Sequence, residues 1–157
     1  MNSRSAAFFA AERDGFSVST DQTRLDAAAI HDFLSNESYW ARGIPRAVLE
    51  KALSHSLCFG LYSGTAQIGL ARVITDCATY FYLCDVYVLE SVRGRGLGRW
   101  LIECVMRHPE LQGLRRRSLV TADAHGLYAQ FGFVSPANPE RYMEKLDPDV
   151  YRRGAAK

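Results

Sequence analysis

A single α/β domain built on a mixed sheet is the fold this chain predicts, and three observations predict it. Apolar runs of strand length alternate with amphipathic runs of helix length. Three of the apolar runs, within 57–62, 67–75 and 79–89, follow one another across short turns, as in an antiparallel meander. The third run passes through a glycine turn straight into a helix, and another strand follows that helix, which is a crossover connection. The expected order is β-α-α-β-β-β-α-β-α-β-β in one domain, 1–157, with loose tails at 1–14 and 148–157.

Length and composition fit that picture. The chain has 157 residues, 48% of them hydrophobic, enough for one domain with a real core. A net charge of +2 makes no case for binding nucleic acid or a membrane surface. No apolar run approaches the roughly 20 residues of a membrane helix. The opening stretch, Met1 to Ala10, has too short an apolar core for a signal peptide and runs into Glu12, Arg13 and Asp14. The four cysteines, Cys58, Cys77, Cys84 and Cys104, form no Cys-x-x-Cys pair and have no histidine cluster beside them. No metal is therefore expected. Reduced thiols in apolar stretches, and with them a cytoplasmic home, are the simple reading.

Taken in order, Phe16 to Thr20 alternates apolar and polar residues and predicts a short strand. Leu25, Ala28, Ala29, Asp32 and Phe33 fall at helical spacing, predicting a helix that Thr23 caps and that ends near Leu34. A polar loop, 35–45, carries Tyr39 and Trp40. Pro45 then opens a second helix with Val48, Leu49, Ala52 and Leu53 on its apolar face. Two strands, Leu57 to Tyr62 and Gln67 to Thr75, follow around a turn at Ser63-Gly64, with Gly69 a bulge candidate. A turn at Asp76-Cys77 leads into the strand 79–89. The helix after the glycine turn runs from about Gly98 to Arg107 and stops at His108-Pro109. Arg115 to Arg117 reads as a solvated edge before a short buried strand, Ser118 to Thr121. Asp123 is expected to cap a helix that runs to Phe131 and that Gly132 ends. Strands are expected at Phe133-Val134 and Tyr142 to Leu146.

The glycine turn carries the clearest chemistry. Gly94, Gly96 and Gly98 place three glycines in five residues, just before Leu97, Trp100, Leu101, Cys104 and Val105 at helical spacing. Glycine lets the backbone come close to a ligand. The free amides and the dipole at a helix start form an anion site, and Arg93, Arg95 and Arg99 add positive charge. The chemistry is phosphate or pyrophosphate binding. A Walker A loop needs Lys-Ser/Thr where Arg99-Trp100 stands, and a dinucleotide fingerprint needs Gly-x-Gly-x-x-Gly where Gly94-x-Gly96-x-Gly98 stands. A plain glycine turn capping a helix is the other alternative.

The pattern Arg93-x-x-Gly96-x-Gly98 resembles the acetyl-CoA pyrophosphate loop of the GNAT superfamily of N-acetyltransferases. Ala124-x-x-Leu127-Tyr128-x-x-x-Gly132-Phe133 resembles its second signature, a helix beside the pantetheine arm whose tyrosine reaches the CoA sulfur. Together they cover Thr79 to Phe133, whereas the N-terminal third matches only in element order. The resemblance implies acetyl-CoA as cosubstrate. It would be held by Arg93, Gly94, Arg95, Gly96, Leu97, Gly98 and Arg99, along Val86, Tyr87 and Val88, and near Thr121, Ala124 and Tyr128. Thr121 stands where the family usually has an asparagine, seven residues before the tyrosine. In the same family the loop between the first two helices commonly walls the acceptor site, which would put Tyr39 and Trp40 there.

Acetyl transfer to an amine needs few parts. The nitrogen attacks while neutral, and its proton leaves through a base or a water chain. The tetrahedral oxyanion needs a donor, for which a backbone N–H near Val88 is the candidate. The departing thiolate, with a pKa of about 8.5, gains from a nearby acid. Tyr128 is the candidate acid, with core packing against Phe131 and Phe133 as its structural alternative. Asp85 lies in an apolar strand, where a carboxylate without a partner is costly. It either faces a cleft and holds or deprotonates the amine, or it is a structural group. His125, on about the same helical face as Tyr128, is a second base candidate and otherwise a surface or capping residue. His31 points at the acceptor or is satisfied within its helix. Tyr39 and Trp40 line the pocket, where aromatics hold an ammonium head or an apolar substrate, or plug a long loop. The motifs place no cysteine as an acyl carrier, so direct attack in a ternary complex is expected. The acceptor is expected to be a small-molecule or peptide amine, with neither nucleic acid nor membrane as partner. The alternative to an enzyme is a non-catalytic acyl-CoA sensor. A nucleic-acid-associated role would rest on Arg115 to Arg117 alone. The resemblance leaves a homodimer open.

Overall fold

A computed structural model of the chain describes residues 8–154. Its centre is a six-stranded sheet in the order β1-β2-β3-β4-β5-β6. The strands are β1 (Ala10–Arg13), β2 (Phe16–Ser19), β3 (Leu57–Ser63), β4 (Ala66–Thr75), β5 (Tyr80–Val88) and β6 (Arg116–Leu119). Every neighbouring pair is antiparallel except β5 and β6, which are parallel because α3 (Leu97–Arg107) crosses between them. The expected meander is β3, β4 and β5. The helices α1 (Ala27–Asp32) and α2 (Arg46–Ser54) cover one face, where Ile30, Phe33, Leu34, Leu49 and Leu53 pack on Cys58, Leu70 and Tyr87. On the other face, Leu97, Leu101 and Val105 of α3 and Tyr128 of α4 (His125–Ala129) join Phe59, Leu61, Ala71, Val73, Phe81 and Leu83. This is the mixed α/β architecture that the sequence predicts.

Four local expectations need correction. The tail expected to run loose to residue 14 contains β1, paired with β2 through Asp14-Gly15. Both turn residues have positive φ, 51° and 83°, as a two-residue hairpin turn of type I′ requires. The Asp-Gly pair was the missed signal; residues 1–7 lie outside the described residues. Secondly, α1 is capped by Asp26, whose carboxylate accepts the Ala29 N–H at 3.0 Å. Thr23 instead sits in a 3₁₀ turn capped by Asp21. Thirdly, Asp123 does not cap α4. The Thr121 hydroxyl accepts the Ala124 N–H there, at 3.0 Å.

The fourth correction concerns the C-terminal end. Neither Phe133-Val134 nor Tyr142 to Leu146 is a strand; the chain runs irregularly from Phe133 to Asp149 apart from a 3₁₀ turn at Pro139–Arg141. Alternating apolar residues suit a strand but do not supply a hydrogen-bonding partner. The expected second tail also forms a short helix, α5 (Val150–Gly154), whose Tyr151 packs against the α1/α2 side of the core.

Two bulges shape the middle of the sheet. On β4 the register shifts so that Ile68 is the extra residue, next to the expected Gly69. On β5, Leu70 faces Tyr87 while Arg72 faces Cys84, so Asp85 and Val86 together oppose Ala71. Asp85 there has φ 49°, a strained value for a residue with a side chain. Because strand side chains alternate with period two, one extra residue swaps the faces beyond it. Phe81 and Leu83 before the bulge point to the α3/α4 core, and Tyr87 after it packs with α1/α2.

Candidate functional site

The second half of β5 is the floor of the site. Strand β6 pairs with β5 only from Tyr80 to Leu83. From Cys84 to Val88 that edge has no strand beside it, and a cleft opens between β5 and the segment after β6. The Leu89 N–H bonds back across the sheet to the Ile68 carbonyl at 2.9 Å. By strand alternation the Val88 N–H therefore points the other way, into the open side. This is the amide that the sequence offers as oxyanion donor.

At the far end of the strand lies a surface pocket of ≈ 310 Å³ lined by Val88, Arg93, Gly94, Gly96, Leu97 and Gly98. Gly94 and Gly96 have φ of 81° and 73°, so both need glycine for backbone reasons. Gly96 is the N-cap of α3, and no side chain caps this helix. The first-turn amides, which cannot bond within the helix, are left for a ligand. A Cβ at Gly98 would lie 3.8 Å from Val88 Cγ2, so space, not crowding, surrounds the loop. The donor set suits a pyrophosphate. The arginines divide their work. Arg93 donates from Nε to the Val88 carbonyl at 2.9 Å and ties the loop to the strand. The Arg95 guanidinium lies 6.0 Å from the Phe16 ring, and Arg99 pairs with Glu103 at 3.5 Å. Sequence reasoning missed Arg13, whose guanidinium nitrogen lies 3.7 Å from where a Gly96 Cβ would stand. The Asp14-Gly15 turn that folds β1 back beside β2 puts this cation there.

The cleft itself, ≈ 330 Å³, is lined by residues from three distant parts of the chain: Tyr39 and Trp40, Tyr82 to Val86, and Leu119 to Ala124 with Tyr128. Asp85 is 7% exposed and both its oxygens are engaged. Arg72 Nε donates to Oδ2 at 2.7 Å, and Trp40 Nε1 donates to Oδ1 at 2.9 Å. Arg72 also donates to the Ser56 hydroxyl at 3.1 Å. Burial works against the Arg72 charge, but the adjoining carboxylate outweighs it and raises the guanidinium pKa. Asp85 is therefore half of an internal ion pair, and the partner Arg72 was not anticipated. A carboxylate inside an apolar strand was the available signal, because it needs a cation somewhere.

Tyr39 reaches across the mouth of the cleft, its hydroxyl accepting the Ala122 N–H at 3.2 Å. Both loop aromatics therefore wall the cleft. Tyr128 is 8% exposed and packs edge-on against Phe133 while its side chain lines the cleft. Burial, helped by Tyr39 and Asp123, pushes its phenol up to about 12. Thr121 and Ala124 are at the cleft wall, tied to each other. Val86 lines the cleft and Val88 the loop pocket, while Tyr87 turns away to stack on Phe33 at 3.9 Å between centroids. Tyr87 thus lines neither the cleft nor the loop pocket.

Two candidate residues stand elsewhere. His125 is exposed at the start of α4 and outside the cleft lining. His31 bonds through Nε2 to the Ile44 carbonyl at 2.8 Å, which fastens the loop after α1. Cys84 does line the cleft, yet burial pushes its thiol up to about 12, and Cys58 likewise. Neither is a thiolate near neutral pH. Of the arginine run, Arg117 is turned inward and donates to the Leu111 and Leu114 carbonyls at 2.9 and 3.2 Å. Among the described residues no group of three or more His, Cys, Asp or Glu is placed to hold a metal, and no helix is long and apolar enough to cross a membrane.

The family model for the acetyltransferase (GNAT) domain matches residues 54–135, which takes in both the loop and the Tyr128 helix. The chain belongs to the GNAT acetyltransferase family. A provisionally named acetyltransferase of Gibberella zeae is 38% identical over 140 residues, covering 75% of this chain and 78% of that one. A crystal structure of a GNAT-family protein from Xanthomonas campestris, provisionally described as an acetyltransferase, is 49% identical. It superposes with a TM-score of 0.86 over 89% of this chain and 99% of that one. A Staphylococcus aureus protein of unknown function, also described provisionally as an acetyltransferase, is 28% identical with a TM-score of 0.64, covering 84% and 98%. This GNAT acetyltransferase thus shares most of its fold with these two solved structures.

Proposed function

We propose that this acetyltransferase uses acetyl-CoA as donor and transfers the acetyl group directly to a primary amine in a ternary complex. The observation that carries the reading is the uncapped start of α3. Its free amides, which follow the left-handed Gly94 and begin at the left-handed N-cap Gly96, lie at the end of a strand whose open edge leads to Tyr128. Pyrophosphate on those amides would direct the rest of the donor along Val88 and Val86 into the cleft.

The chain's own groups support the remaining steps. The Val88 N–H would stabilise the oxyanion as the amine nitrogen bonds to the thioester carbon. When the carbon–sulfur bond breaks, Tyr128 would hand its phenolic proton to the thiolate, and the phenolate left behind would take a proton back from solvent. A raised pKa keeps that phenol protonated at any working pH. Asp85 is already bound at both oxygens, which favours an orienting role over proton abstraction, so the ammonium proton is assigned to water at the cleft mouth. Tyr39, Trp40 and Tyr82 offer aromatic faces to an amine. His125 is kept as a base only if the α4 end moves. The high thiol pKa of Cys84 favours direct attack over an acyl-cysteine.

The test is release of CoA thiol from acetyl-CoA over a broad amine panel, with Tyr128→Phe beside the wild type. The expected outcome is turnover on one amine class, reduced by about 10²–10⁴-fold in the variant, with acetyl-CoA affinity nearly unchanged. Equal turnover of the two proteins would remove Tyr128 from the chemistry. Silence across the panel, with acetyl-CoA bound, would favour the sensor reading. The pH profile adds a sign. A phenol acid works protonated, so turnover should hold through the ordinary tyrosine pKa of about 10 and fall only as pH nears about 12.

A further inference from the structure

The mouth of the cleft holds a carboxylate that no step of the reaction uses. Asp123 lines the cleft and is exposed. It takes part in none of the ion pairs among the described residues. Capping does not occupy it either, since the Thr121 hydroxyl accepts the Ala124 N–H. Tyr39 and Trp40 stand beside it. The bond from the Ala122 N–H to the Tyr39 hydroxyl brings that ring to the residue before Asp123. The two rings meet edge to face, 5.0 Å apart at 85°, and remain 60% and 42% exposed. The indole is fixed, because its Nε1 donates to the Asp85 carboxylate at 2.9 Å. Arginines lie over other rings among the described residues, but over neither of these two. Two crossed aromatic faces and one carboxylate thus form an open corner without a cation. Such a corner attracts an alkylammonium head.

The rest of the lining says what that ammonium is attached to. No Lys, Arg or His from the described residues lines the cleft. The charge of Asp85 is already balanced by Arg72 at 2.7 Å, which leaves Asp123 as the unbalanced charge of the lining. A carboxylate or phosphate on the acceptor would therefore enter with no cation to meet it, and an unpaired charge is costly to bury. The nitrogen that attacks has to be neutral, whereas a carboxylate beside an ammonium favours its charged form. The ammonium at the corner is for that reason not the nitrogen that reacts. We propose that the acceptor is a diamine without a carboxylate, its far ammonium resting between Tyr39, Trp40 and Asp123 at the mouth while its near amine lies inside the cleft. Asp123 is then the residue that selects the acceptor, and Asp85 a positioning residue that holds the indole. The inference deepens the acetyl-transfer reading and rests on it for the fate of the near amine.

Three matched amines test it: cadaverine, pentylamine, which lacks the second nitrogen, and lysine, which adds a carboxylate to cadaverine. Each is titrated calorimetrically into the full chain, alone and with saturating CoA. Cadaverine should bind at least about fivefold more tightly than either of the others, the scale of an exposed ion pair. Asp123→Asn should erase the preference for cadaverine over pentylamine and leave pentylamine binding as it was. Asp123 is exposed, so the variant should keep the wild-type circular dichroism spectrum. Equal binding of the three amines, lysine bound as tightly as cadaverine, no binding of any, or a preference that survives Asp123→Asn overturns the proposal. Release of CoA thiol from acetyl-CoA with the same amines separates this inference from acetyl transfer itself. The binding order without release would retire acetyl transfer and keep the diamine site, and release without the order would do the reverse.

Discussion

The two ends of the bulged half of β5 solve different problems by different means. The loop end, Arg93 to Arg99, is built from one contiguous stretch and works through backbone: two positive-φ glycines and the unclaimed amides of α3. The cleft end, the proposed acceptor end, is built from side chains far apart in sequence. Trp40 comes from the loop after α1, Arg72 from β4, Asp85 from the bulge and Ala122 from beyond β6. A backbone site costs little to assemble and binds what every donor molecule of one class shares. A side-chain site depends on tertiary packing and is free to change its specificity. The two ends should therefore fail differently when perturbed.

The largest expected effect is at the acceptor end, and it falls on stability. Arg72→Met removes the cation from a buried carboxylate, and breaking such a pair by one partner costs about 3–5 kcal/mol. Denaturant unfolding would measure it. Acetyl-CoA affinity of the still-folded fraction should change less than tenfold, because the loop end does not use this pair. A large affinity loss with little change in stability would merge the two ends into one unit and break the contrast.

Next is the loop end, where the loss should appear in binding. Gly96→Val forces a branched side chain into a left-handed conformation, a strain of about 1–2 kcal/mol. It also puts methyl groups where the pyrophosphate would sit. Calorimetry should find acetyl-CoA affinity reduced at least about a hundredfold, or about 2.7 kcal/mol, while the circular dichroism spectrum remains native. Unchanged affinity would mean that the phosphates bind elsewhere.

The same contrast explains what could be read from the sequence. Three glycines before an amphipathic helix are a local pattern, so the loop, α3 and the β3–β5 meander were legible from residue types and spacing. Tyr128 was legible because its motif is local too. The Arg72–Asp85 pair was not, since nothing in the sequence joins β4 to a bulge that the register alone creates. Asp85 looked like an unpartnered carboxylate, and its two partners came from 13 and 45 residues away. Arg13 is hidden for a different reason: the Asp14-Gly15 pair is a local hairpin signal, but only the pairing of β1 with β2 brings Arg13 beside Gly96. At the other terminus, Tyr142 to Leu146 has the right alternation for a strand. A strand also needs an edge to pair with, and alternation does not say where that edge is.

The smallest effect sharpens the comparison most. Tyr39 is exposed, and its single bond to the Ala122 N–H spans the cleft mouth. Tyr39→Phe removes only that acceptor, a loss of about 0.5–1.5 kcal/mol at most, with less expected because water can take the amide. Stability and acetyl-CoA affinity should therefore hardly move. The amine side should move instead: KM for the acceptor should rise several-fold with kcat kept, because the hydroxyl positions the wall of the cleft and touches no bond that breaks. If acetyl-CoA affinity fell with it, the bridge from Tyr39 to Ala122 would be holding the segment that carries Thr121 and Ala124. The cleft mouth would then belong to the donor end of the site, and the division between the two ends would lie nearer to Trp40 and Asp85.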